Sequence, residues 1–86
     1  MKLPVIKHLT NFIEENDEDY INEAMEVLES MIEIPSLKDE ELDVIGELLS
    51  NFSGALEVKQ MMREQNLSQK EALNAFMKDF ARASFV

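Results

Sequence analysis

Cysteine is absent from this chain of 86 residues, which excludes disulfide staples, thiolate zinc sites and thiol catalysis. Its absence also fits the cytoplasm, where the protein is expected. Long apolar runs are absent as well. No stretch approaches the roughly 18 residues that a membrane span needs. The opening MKLPVIKHLT breaks its apolar run at Lys7 and His8, short of a signal-peptide core, so a soluble intracellular protein is expected. Basic residues are scarce where acids are dense. The net charge is −10, and residues 14–47 hold fourteen acids against the single base Lys38. Residues 48–86 hold five bases and four acids. Phosphate recognition needs a basic footprint, so no nucleic acid is expected as partner, and an anionic membrane surface is repelled by the same charge.

The chain is one domain near the small end of what folds unaided, 1–86, where area burial and conformational entropy nearly cancel and self-association is a sensible expectation. Its organising stretch is 36–66. On a wheel of about 100° per residue, Leu42, Val44, Ile45, Leu48, Leu49, Phe52, Ala55, Leu56 and Met62 fill an apolar arc too broad for one neighbour to cover. The other helices are expected to pack around it. Gly46, Ser50 and Gly54 recur at spacing four. A helix-interior glycine costs about 1 kcal/mol relative to alanine, so close approach of another helix or a break at Gly54 is implied. Because GALEVKQMM resumes the pattern without a polar loop, a continuous or mildly kinked helix is favoured.

Around that stretch, helix 1 begins at Pro4, with Val5, Ile6, Leu9, Phe12 and Ile13 on one side and Lys7 and Asn11 opposite. Asn16 and Asp17 form a break and N-cap pair. Helix 2 covers about 17–33, with Tyr20, Ile21, Ala24, Met25, Val27, Leu28, Met31 and Ile32 as its buried stripe, and ends at Ile34-Pro35. Helix 3 follows Ser36 or Lys38. Acids at Asp17, Glu18, Asp19, Asp39, Glu40 and Glu41 sit in first turns, where the helix dipole favours them. Ser68 and Glu71 form a capping box for a last helix that buries Ala72, Leu73, Phe76, Met77, Phe80 and Ala83, with Lys78 and Arg82 in its final turns. No strand-like alternation stands out. The fold class is all-α: a compact bundle of four helices, five if Gly54 breaks the third.

His8, the single histidine, lies at the edge of the helix 1 arc with no partner placed by local spacing, and reads as a surface residue. Glu23, Glu26, Glu29 and Glu33 lack the Glu-x-x-His pairs of di-metal bundles, and 14–19 lacks the glycine of a calcium loop, so no metal or cofactor is expected. None of the four has Lys or Arg four residues on, and Glu29 faces Glu33. They make either a solvated face or a docking face for a basic partner, a second copy's C-terminal half included. Glu64 to Leu73 resembles the opening of a helix-turn-helix repressor for ten residues, but 74–83 continues one amphipathic helix where a turn and recognition helix would be needed. The methionines Met25, Met31, Met62 and Met77 fall on buried faces. Val58 and Met61 lie outside the main arc, which implies an additional cover on the second half of helix 3. With the apolar tail residues Phe85 and Val86, they are candidates for self-association.

The stretches MKLPVIKHLTNFIEENDEDYI and SLKDEELDVIGELLSNFSGALEV resemble a family of short, uncharacterised bacterial proteins classed as a domain of unknown function, and the likeness extends over nearly the full length. That resemblance offers no catalytic residues; it implies an accessory to thiol-redox proteins, since a chain without cysteine cannot exchange thiols itself.

The first functional expectation is a small acidic interaction protein, a homodimer, that binds a protein partner through its acidic face or its helix 3 surface. The second is a self-associating structural or regulatory subunit without catalytic role. An enzyme comes last with the thiol-redox accessory, because no nucleophile, base and electrophile group together in sequence.

Overall fold

Four helices form from the periodic segments: α1 (Leu3–Glu15), α2 (Glu18–Met31), α3 (Asp39–Glu64) and α4 (Gln69–Ala83), with no strand among the described residues. The computed structural model describes the backbone of residues 1–83 and the side chains of residues 1–79. Expectations for Phe80, Arg82 and Ala83 as side chains, and for the tail Ser84, Phe85 and Val86, lie outside the described residues.

Local chemistry sets the helix ends. The Asp17 carboxylate accepts the N–H of Asp19 at 3.2 Å and so caps α2. That helix closes at Met31, two residues before the periodic pattern runs out. The N–H groups of Ile32, Glu33 and Ile34 tighten onto carbonyls three residues back, ahead of Pro35. Lys38 precedes α3, and the Glu41 carboxylate reaches back to its N–H at 3.0 Å. Asn66 ends α3 in the left-handed region, φ 52°, while the N–H of Leu67 reaches the carbonyl of Met62 at 3.2 Å. Ser68 and Glu71 exchange both bonds of their capping box, 3.2 and 3.0 Å.

α3 runs unbroken through Gly54 for 26 residues, about 39 Å at 1.5 Å per residue. It touches each of the other three helices, whereas α2 and α4 make no contact among the described residues. Ion pairs give the directions. Met1 meets Glu47 and Glu14 meets Lys59, so α1 runs parallel to α3. Glu18 pairs with Arg63 at one end of α2 while Met31 lies beside Ile45 at the other, so α2 is antiparallel. α4 returns antiparallel after a short turn and brings Phe76 onto Gly54. The result is a layer α2–α3–α4 with α1 laid on α3 and touching both flanking helices. The smallest dimension, 19 Å, is that of two helix layers.

The core lies under α1. Ile6, Ile13, Ile21, Ala55, Val58, Ala72, Leu73 and Phe76 are buried together. Thr10 is buried there too, its hydroxyl donating to the Ile6 carbonyl at 2.7 Å. Ile45 is buried, and Leu42, Leu49 and Phe52 are half-buried, so the central segment is covered as the wheel implies. The expected stripe of α2 needs correction. Ile21 is buried and Ala24, Met25 and Leu28 half-buried, but Tyr20, Val27, Met31 and Ile32 are exposed. α2 is an edge helix of its layer, covered on one side by α3 and on another by α1 only near its start.

Candidate docking surface

Two apolar seams run along neighbouring helices, and α1 covers only one end of each. On α3, Val44, Leu48, Asn51, Ala55, Val58 and Met62 follow one another at spacings of four and three, so they share one side of the helix. Asn51, Ala55 and Val58 are buried, whereas Val44 is 59% exposed and Leu48 is exposed as well. On α2, Tyr20, Ala24, Val27 and Met31 form the corresponding seam. The Tyr20 ring meets Phe12 of α1 edge-on at 5.8 Å while staying 59% exposed, Ala24 is half-buried, Val27 is 60% exposed and Met31 is exposed. Because α2 and α3 are antiparallel, the bare halves of both seams lie at the same end. Between them is a shallow groove of about 380 Å³ lined by Met31, Leu37, Glu40, Glu41, Val44 and Ile45.

The groove opens where it does because α1 is short and pinned. Its 13 residues span about 20 Å, half the length of α3. The Met1 ammonium donates to Glu47 Oε1 at 2.7 Å, the N–H of Lys2 donates to Asn51 Oδ1 at 2.8 Å, and Asn51 Nδ2 donates to the Glu47 carbonyl at 2.9 Å. α1 has no side-chain cap of its own, and buried Asn51 supplies the acceptor from the helix beneath. The ammonium beside Glu47, first through its hydrogen bond, holds that carboxyl below the usual glutamate range. Glu71 is lowered likewise, by the backbone and then the hydroxyl of Ser68. Asn51 was not anticipated as an anchor. Its signal is a polar residue in register with Ala55 and Val58.

Glu23, Glu26, Glu29 and Glu33 are all exposed, and none makes an ion pair among the described residues. Glu29 lies on the far side of α2 from Val27, and Glu33 follows the helix in the turn before Pro35, so neither lines the groove.

The remaining site expectations separate. A Cβ on Gly54 would stand 3.2 Å from Phe76 and 3.3 Å from Ile6, so this glycine lets α4 and α1 approach α3 closely. Gly46 is corrected: nothing lies within 4 Å of a Cβ there, because that stretch of α3 faces solvent. Ser50 is half-buried. Val58 is corrected as a self-association residue, since it is buried completely in the core of one chain. Met61 is half-buried and packs against the same core. Phe85 and Val86 lie outside the described residues. His8 is exposed and borders two shallow hollows, one with exposed Glu15, the other with Leu9, Phe12, Tyr20 and Phe52. A third hollow, about 390 Å³, lies between α1 and α4 and carries Lys7 and Lys70 beside Leu3 and Leu73. Among the described residues, no group of three or more metal-ligating side chains comes together. No described helix is long and apolar enough to cross a membrane.

Residues 1–83 match the model of a family of unknown function, DUF6952, and the chain belongs to that family. Among curated proteins and among solved structures, nothing matches the chain.

Proposed function

We propose that this member of the family is a small, acidic, non-catalytic interaction protein of the cytoplasm that binds another protein through the surface of α3 and the acidic side chains around it. The observation that carries the reading is the bare half of the two seams. Val27, Met31, Val44 and Leu48 stay exposed together at one end of the α2–α3 pair, while Ala55 and Val58 further along α3 are buried. Large apolar side chains grouped on a charged surface mark contact sites more often than lone ones do. Residues 14–47, with fourteen acids against one base, supply a field that steers a basic partner. A pull-down titrated with salt tests this: captured partner should fall steeply above physiological ionic strength. Capture that ignores salt would count against the acidic contribution.

A second reading, self-association, is favoured by the hollow with Lys7 and Lys70, which offers positive charge to the acidic half of another copy. Such a contact joins unlike surfaces, so it forms rings or open chains rather than a two-fold dimer. Light scattering at micromolar concentration decides it; a strict monomer removes this reading.

A further inference from the structure

We infer that the bare end of the α2–α3 groove is a seat for one short amphipathic helix of a partner protein, with an apolar stripe flanked by Lys or Arg. This rests on the interaction reading above and names its site and partner class.

The molecule carries its own template for the occupant. Over Asn51 to Met62, α1 lies along α3 beside α2, with Ile6 and Ile13 in the core and Leu9 and Phe12 bordering a shallow hollow with Tyr20, Ala24 and Phe52. The same two seams continue past the start of α1 with the same spacing and no helix on them. Val44 and Leu48 lie one turn apart on α3, and Val27 and Met31 one turn apart on α2. Met31 and Val44 line the groove, and Val27 and Leu48 lie one turn further along their helices. That pattern accepts apolar residues at i, i+3 or i+4, and i+7 of a helix laid end-on to α1. The eight α3 residues before Glu47, Val44 among them, leave about 12 Å of bare seam, room for two helical turns, with Leu48 at its edge beside the Met1 anchor.

Charge selects the occupant. Glu40 and Glu41 line the groove, Glu23 lies one turn before Val27, and no Lys or Arg other than Lys38 occurs in 14–47. A second copy laid symmetrically on this groove would bring two such acidic segments together, because a two-fold contact pairs a surface with itself. That repulsion works against a homodimer here and favours a helix whose polar flanks are basic.

The test uses the whole chain and a synthetic helical peptide with leucines at i, i+3, i+4 and i+7 and lysines elsewhere. A second peptide carries Glu in place of Lys. Affinity is read by fluorescence anisotropy at physiological salt, with helicity of every variant checked by circular dichroism. The lysine peptide is expected to bind the protein and the glutamate peptide not to. V44S/L48S, which keeps the charge and alters only exposed side chains, should weaken binding at least about tenfold. E29Q/E33Q, outside the groove lining, should change it less than about threefold. Equal binding of both peptides, no binding of either, or an affinity untouched by V44S/L48S overturns the groove. If affinity survives V44S/L48S but collapses in E23Q/E26Q/E29Q/E33Q, the groove fails while the wider interaction reading stands. A doubled mass in light scattering that V44S/L48S abolishes makes a second copy the occupant, which also overturns it.

Discussion

Gly54 and Phe76 are in contact because one of them has no side chain: a Cβ at Gly54 would meet the Phe76 ring at 3.2 Å. Ile6 closes in from α1 at 3.3 Å, so this position is where α1, α3 and α4 approach one another. Gly46, eight residues earlier on the same helix, has open space around it. The two glycines therefore predict opposite signs. G46A gains helix propensity at no steric cost and should stabilise by about 0.5–1 kcal/mol. G54A gains the same propensity but pushes on a rigid ring, at an overpacking cost of about 1–3 kcal/mol. Thermal melts should place G46A above the parent protein and G54A below it.

Asn51 is the next test. Its side chain joins the Lys2 N–H to the Glu47 carbonyl and is buried. N51A leaves the Lys2 N–H without that acceptor and opens space under α1. The expected loss is about 1–2 kcal/mol in urea denaturation. Amide exchange should quicken first at the start of α1, because the anchor is local. Uniform quickening along the whole chain would contradict the assignment.

Acid should loosen the same anchor. The folded-state pKa of Glu47 is depressed by the Met1 ammonium, so its contribution is fully present above the ordinary glutamate value. It is lost as the pH falls through the lowered folded value. Stability of the parent protein should therefore exceed that of E47Q near neutral pH, and the gap should close on the acid side of the usual glutamate range. Acetylation of the α-amino group should narrow the gap, leaving the smaller part that comes from Asn51 and Lys2.

Asn66 holds φ 52° at the end of α3, a conformation that a β-branched side chain resists. N66V is expected to cost about 1–2 kcal/mol, and N66G to change stability by only a few tenths. Equal melting of the two variants would show that the turn relaxes out of the left-handed region.

Much of the fold can be read from residue spacing alone. Asp17, Pro35 and the Ser68–Glu71 box mark helix ends by local hydrogen bonding, which needs no distant partner. The additional cover on the second half of α3, inferred from Val58 and Met61, shows as the complete burial of Val58 and the packing of Met61 against the core. The bare groove was not legible. Val44 and Ala55 lie on one seam of α3, and the wheel gives both the same claim to burial. Tyr20 and Val27 likewise read as core because the period of α2 says only which side is apolar, not where its cover stops.

The sequence by itself determined that the chain is helical, where each helix starts and stops to within two or three residues, and that its first half is strongly acidic, because those properties depend on neighbours within a few residues. Tertiary structure alone decided which apolar residues are core and which are surface. Asn51 and Glu47, holding Lys2 and Met1, set how far α1 extends along α3. That length contrast, 13 residues laid on 26, exposes Val44 and Leu48 while it buries Ala55 and Val58.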